Sequence, residues 1–188
     1  MSVVLLGSTS GSVTLQEPAV AGTTVLDLPA VSGTILTTGS SGQSIPKAAL
    51  PTGSVLQVVE GTTASETFTT STSYQSTNLS ASITPTSSTS KILIIVSSTL
   101  YTSSSTYPVS ATIFRGATNI ASSNSEGVLF WGEGASAWVK CASTFLDSPS
   151  STSSLTYALH IKSGNAGTNV GANRNNTRNS IILMEIAA

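Results

Sequence analysis

The sequence predicts an all-β protein: an N-terminal extended repeat arm followed by a β-sandwich domain. Three observations predict it. An 11-residue repeat rich in Gly, Pro, Val and Thr opens the chain. Beyond it, apolar segments of strand length recur at short spacing, split by Ser, Asn and Gly turns, which is the pattern of a sandwich. No segment combines helix caps with a sustained 3.6-residue period.

Read from Gly11, the repeat copies are GSVTLQEPAVA, GTTVLDLPAVS and a truncated GTILTTG. Gly11, Gly22 and Gly33 coincide, as do Leu15 with Leu26, Pro18 with Pro29, and Val20 with Val31. An 11-residue period also suits a right-handed helical supercoil. Gly and Pro argue against that, because they cost about 1 and 3 kcal/mol respectively in a helix interior. Val, Thr and Leu between them suit short extended pieces. A single repeat seldom buries its apolar face without a neighbour. The neighbour expected here is the same segment of another copy of the chain, and the nine residues just named are the candidate docking contacts. The alternative is an irregular arm that gained its repeats by duplication. The arm covers residues 1–42. A linker, 43–54, is stiffened by Pro46 and Pro51, and the head domain covers 55–188.

The head opens with VLQVVE from Val55. The stretch up to Pro85 reads as polar-rich strands with Tyr74, Leu79 and Ile83 as inward anchors. The run Ile92–Val96 is continuously apolar, as in a strand covered on both faces. VSATIFRG and TNIASS flank Gly116-Ala117 as a hairpin. AWVKCASTFLD, from Ala137, is a further strand. LTYALHIK alternates, with Leu155, Tyr157, Leu159 and Ile161 on one face and His160 and Lys162 on the other. The last segment, SIILMEIAA, is apolar to its end, which places the final strand inside a sheet or at a subunit contact, since frayed ends are normally polar.

Only 8% of the residues are charged and the net charge is −1, while Ser and Thr make up roughly a third of the chain. An apolar fraction of 39% argues for order, because disorder pairs low hydrophobicity with high charge. There is no basic patch to follow a phosphate backbone, so nucleic acid is not an expected partner. No apolar run reaches the length of a membrane span, and MSVVLLGSTSG lacks the basic flank and apolar core of a signal peptide. Assembly in a cytoplasm is expected.

Chemistry-bearing constellations are sparse. Cys141 is the single cysteine and reads as a small buried hydrophobe. His160 stands alone, without the second ligand a zinc site needs. Glu60, Glu66, Glu126, Glu133 and Asp147 show no spacing that suggests glycoside hydrolysis. Gly132-Glu-Gly134 lacks the strand-before, helix-after context of a dinucleotide fingerprint, and no Gly-x-Ser-x-Gly elbow occurs. Neither a cofactor nor a metal is expected. Two segments qualify as partner contacts. One is 122–136, which sets Phe130 and Trp131 in an expected loop; packing of both rings in the core or at a symmetry axis is the competing reading. The other is the polar stretch 163–179 with Asn173, Arg174 and Arg178, where long loops tend to be functional or mobile.

The repeat segment, followed by GSVLQVVEGTT, LSASITPTSSTSKILIIVSS, an FRG-containing strand and a C-terminal LMEIA strand, resembles bacteriophage virion-surface structural proteins of the tail-fibre-like and capsid decoration kind. The C-terminal part is similar in pattern to trimeric jelly-roll heads such as those of C1q and tumour necrosis factor. The resemblance spans nearly the whole chain and carries no catalytic motif, so a non-enzymatic role follows. It implies a homotrimer with a jelly-roll-like head, located in the virion. Its partners would be the chain itself, the major capsid protein or a tail component, and, for the loops, a host-surface glycan. The glycosylation patterns Asn78-Leu-Ser80 and Asn175-Asn-Thr177 have no meaning in such a setting. An arm ending near Gly42 is short for a fibre shaft and sufficient for docking. A trimeric capsid decoration (cement) protein is therefore the expectation, with a short tail fibre or head fibre as the alternative. A depolymerase is the remaining reading from another class.

Overall fold

A computed structural model of the chain describes residues 3–6, 10, 12–15, 50–121, 129–131 and 137–188. The chain divides into two compact units, Met1–Ser44 and Ile45–Ala188. In the first, β1 (Val3–Leu6) and β2 (Ser12–Leu15) form an antiparallel pair. Of the repeat positions, Leu15 ends β2. Gly11, Pro18, Val20, Gly22, Leu26, Pro29, Val31 and Gly33 lie outside the described residues.

The second unit contains no helix among the described residues. Its strands are β3 (Val55–Thr63), β4 (Thr67–Thr69), β5 (Gln75–Ile83), β6 (Lys91–Thr102), β7 (Val109–Arg115), β8 (Thr118–Asn119), β9 (Leu129–Trp131), β10 (Ala137–Asp147), β11 (Leu155–Ser163), β12 (Val170–Ala172) and β13 (Asn179–Ile186). They form two antiparallel sheets. In the six-stranded sheet, β6 is paired from Ile92 to Thr102 by β10 on one side. On its other side it is paired first by β13 and then by β12, which are in turn flanked by β3 and β4. The five-stranded sheet runs β5–β11–β7, with β8 and β9 both on β7.

Alternation explains why the two sheets stack as a β-sandwich. On β5, Leu79, Ala81 and Ile83 point inward while Asn78, Ser80 and Ser82 are exposed. On β11, Tyr157, Leu159 and Ile161 are fully buried, as the sequence predicts. From the other sheet come Ile92, Ile94, Val96, Leu100, Ile181 and Leu183. Burying each such side chain contributes about 1.5–3 kcal/mol. The final strand β13 lies between β3 and β6. Gly61 on β3 brings that strand against β5: a Cβ there would stand 1.9 Å from the Ser80 carbonyl oxygen.

Several expectations are corrected. The run Ile92–Val96 is covered on one face only: Ile92, Ile94 and Val96 are buried, whereas Leu93 and Ile95 are half-exposed on the outer face. A continuous apolar run hides this alternation. Tyr74 does not point inward; it packs against Phe114 on the outer face of the five-stranded sheet. Cys141 is half-buried at the core margin. Phe130 and Trp131 lie in strand β9, not in a loop, because β7 offers the pairing Ser110↔Phe130 and Val109↔Trp131. The segment 163–179 is not one loop, because β12 interrupts it and pairs with both β4 and β6.

Two buried carboxylates tie one end of the sandwich together. Asp147 and Glu185 flank Ile92 in the same cross-strand row. Asp147 accepts from Arg115 Nη1 at 2.6 Å and from the Tyr157 hydroxyl at 2.7 Å, both on the opposite sheet. Glu185, fully buried, accepts from the Thr86 amide and hydroxyl, each at 2.7 Å, and from Gln57 Nε2 at 2.6 Å. Burial alone would raise the Glu185 pKa. The hydrogen bonds from Thr86 and Gln57 outweigh it and hold the carboxyl below its ordinary value.

Candidate functional site

The outer face of the six-stranded sheet is the most unusual surface of the head. Register places Val58, Met184, Leu93 and Leu146 side by side in one row across four strands. The next row is Glu60, Ile182, Ile95 and Thr144. Val58 and Leu146, at the two ends of the first row, are 56% and 50% exposed. A third row, at the far end of the face, is Phe68, Gly171, Tyr101 and Trp138. Here the missing side chain of Gly171 matters. A Cβ would meet the Phe68 ring at 2.7 Å and the Trp138 ring at 3.2 Å. With only hydrogen at that position, Phe68 leans across to Tyr101 and Trp138, with ring centroids 6.0 and 5.8 Å away in edge-on geometry. Tyr101 and Trp138 lie 5.3 Å apart. Phe68 remains 47% exposed.

A polar ridge separates the aliphatic rows from the aromatic one. It is the excursion between β12 and β13, residues 173–178, which crosses over Thr99. The Asn173 amide donates to the Thr99 carbonyl, and the Arg174 amide donates to the Thr99 hydroxyl at 2.6 Å. The Thr99 amide donates to Asn179 Oδ1, while Asn179 Nδ2 donates to the carbonyls of Thr63, Arg174 and Thr177. Asn173 and Asn176 take left-handed φ values of 62° and 59°, which Asn tolerates better than most residues. Lys140 Nζ donates to the Arg178 carbonyl, and Arg178 Nη2 reaches Glu60 Oε1 at 2.6 Å. Glu66 and Asn175 exchange two bonds, each backbone amide donating to the other's side-chain oxygen. The charges Lys140, Arg178 and Glu60 are thus answered within the chain. Burial lowers the pKa of Lys140.

The sequence-predicted contact residues fare unequally. Asn173 is fully buried, with Oδ1 accepting from the Ser98 hydroxyl at 2.9 Å. It shapes the ridge and is withdrawn as a contact residue, because its side chain turns into the sandwich. Arg174 and Arg178 are exposed on the ridge. The side chains of Phe130 and Trp131 lie outside the described residues. Sequence reasoning missed Phe68, Tyr101 and Trp138, whose positions are remote in the chain and meet only through strand register.

The dispersed carboxylates have structural partners: Glu60 with Arg178, Glu66 with Asn175, Asp147 with Arg115 and Tyr157. Glu126 and Glu133 lie outside the described residues. Among the described residues, no three His, Cys, Asp or Glu side chains cluster as metal ligands. No described helix is long and apolar enough to cross a membrane. No protein-family model matches the chain, and no curated protein matches it.

Proposed function

We propose that this chain is a bacteriophage virion structural protein: a homotrimeric capsid decoration protein without enzymatic activity. In this reading the heads associate through the outer face of the six-stranded sheet, and the N-terminal repeat arm docks on the shell. The observation that carries the proposal is the half-exposed apolar face Val58–Met184–Leu93–Leu146 with Ile95 and Ile182. Four strands about 4.8 Å apart and the two rows at Leu93 and Ile95 give a projected face of roughly 250 Å². A contiguous apolar patch rimmed by polar residues, as this one is by Glu60 and Thr144, suits an interaction site. Symmetric self-association is the commonest way for a soluble chain to cover one.

Strand order supports the jelly-roll form. With β4 taken as a continuation of β3, β12 as part of the last strand, and β8 with β9 as one, the two sheets read 1-8-3-6 and 2-7-4-5. That is the order expected of the two interleaved Greek keys of a jelly roll.

The test is where the protein sits. Particles of the phage encoding the chain are labelled with a gold-conjugated antibody against the head and imaged. Many labels spread over the capsid are expected. Labels confined to the tail or to a single fibre would replace decoration with the short-fibre reading. Unlabelled particles that demonstrably lack the protein by mass spectrometry would overturn both.

A further inference from the structure

The five-stranded sheet turns a different surface outward. Ser76, Asn78, Ser80 and Ser82 on β5 are exposed, and Thr156 joins Ser82 through a 2.7 Å contact between hydroxyls. Beside this hydroxyl row, three rings gather. Phe114 and His160 stack with centroids 4.0 Å apart and planes at 18°. Tyr74 meets Phe114 edge-on at 5.9 Å. Lys162, two residues along β11 from His160, holds its ammonium 4.9 Å above the Tyr74 ring. All four side chains are half-exposed.

Among the described residues, no acid answers the charge on this face. Among the described residues of β5, β7, β8 and β11, no carboxylate faces outward, and Lys162 makes no ion pair. Burial keeps His160 below its ordinary pKa, and Lys162 is the cation that the described residues set beside the rings. A cation held over a ring has part of its attraction satisfied by the π-face, yet keeps N–H donors for an anion.

We propose that the outer face of the five-stranded sheet binds an acidic saccharide. Lys162 takes the carboxylate, the Tyr74, Phe114 and His160 rings take the C–H face of the sugar, and the Ser76–Asn78 edge takes its hydroxyls. The two-residue step from His160 to Lys162, about 7 Å, is on the scale of one sugar residue. An acidic peptide would use the ammonium but has no need of rings beside a hydroxyl row. A neutral glycan would leave the cation unanswered. The site extends the virion reading by naming what the projecting heads hold. It lies on the sheet opposite the assembly face, so its test does not depend on particle attachment.

The test is affinity gel electrophoresis of the purified full chain through gels containing alginate, polysialic acid, dextran or polyglutamate. Retardation by an acidic polysaccharide is expected, with none by dextran or polyglutamate. Lys162→Met and Tyr74→Leu should each weaken it about tenfold, the scale of one charge-assisted or stacking contact. Lys162→Arg should retain it, and Lys91→Met, a distant surface change, should leave it unaltered. Circular dichroism and native mass of each variant establish that it is folded. Equal retardation by polyglutamate, equal retardation by dextran, no retardation by either acidic polysaccharide, or undiminished binding by folded Lys162→Met would each overturn the proposal.

Discussion

Gly61→Ala is the sharpest perturbation of the head. The added Cβ would lie 1.9 Å from the Ser80 carbonyl oxygen, 2.8 Å from its carbon and 3.1 Å from the Ala81 Cβ. The first two atoms are backbone of β5, which is itself paired to β11 through Ser80↔Ala158. No rotamer change can relieve the clash; the two sheets must part by more than 1 Å along this side (roughly the shortfall from van der Waals contact). Gly61 is also paired to Ile181 within the ladder between β3 and β13, so β3 cannot yield without disturbing β13. Overpacking costs about 1–3 kcal/mol and occasionally more, and a backbone obstacle puts this case near the upper end, about 3 kcal/mol. For a unit of this size that lowers Tm by about 6–12 °C. The assay is thermal melting at one fixed protein concentration, since association also moves Tm. Gly167→Ala is the comparison. That site has open space around it but φ of 86°, so the cost is conformational strain alone, about 1–2 kcal/mol. A Gly61→Ala protein that melts within 1 °C of the parent, or above Gly167→Ala, would refute the contact argument.

Four further outcomes are expected. The double change Leu93→Lys, Ile95→Lys should convert the proposed trimer to monomers by light scattering while leaving circular dichroism intact, because both side chains are half-exposed on the outer face; an unchanged mass would place self-association elsewhere. Glu185→Ala should destabilise the head by about 3 kcal/mol in urea, as loss of a buried charged acceptor strands its donors, and a change under 0.5 kcal/mol would remove the carboxylate from the stability account. Since the folded Glu185 pKa is lowered, the parent's stability should be full above the unfolded carboxylate pKa and fall as pH drops through the folded value, and the Ala variant should lose part of that slope. Tyr157→Phe should cost about 1–2 kcal/mol by stripping one donor from Asp147, with Arg115 still in place; equality with the parent in urea titration would show the hydroxyl bond to be dispensable.

Local pattern carried much of the fold. The alternation of Leu155 to Ile161 fixed which side chains of β11 enter the core, and the apolar C-terminal segment pointed to a strand flanked on both sides. What stayed hidden depends on contacts remote in sequence. Phe68, Gly171, Tyr101 and Trp138 become a row only once four strands take their register. Leu93 and Ile95 were indistinguishable from Ile92 and Ile94, because composition is blind to which face of a sheet lacks a second layer. Asn173 resembled a loop contact by its polar neighbours, yet its hydrogen bond to Ser98 draws it inward. The arm repeat stands as a sequence observation, with Leu15 at the end of a described strand.

The paired carboxylates beside Ile92 have a consequence for folding fidelity. A strand slipped by one residue turns its apolar side chains to the wrong face and is rejected at once. A slip of two residues keeps the alternation, and segments such as ILIIV and IILMEI offer near-identical apolar neighbours at either setting. Hydrophobicity therefore cannot choose between them. Glu185 and Asp147 can, since a two-residue shift of β13 would carry the one away from Gln57 and Thr86, and a shift of β10 would carry the other away from Arg115 and Tyr157. The two buried acids thus act as index pins, rejecting the misaligned sheets that the greasy sequence would otherwise accept.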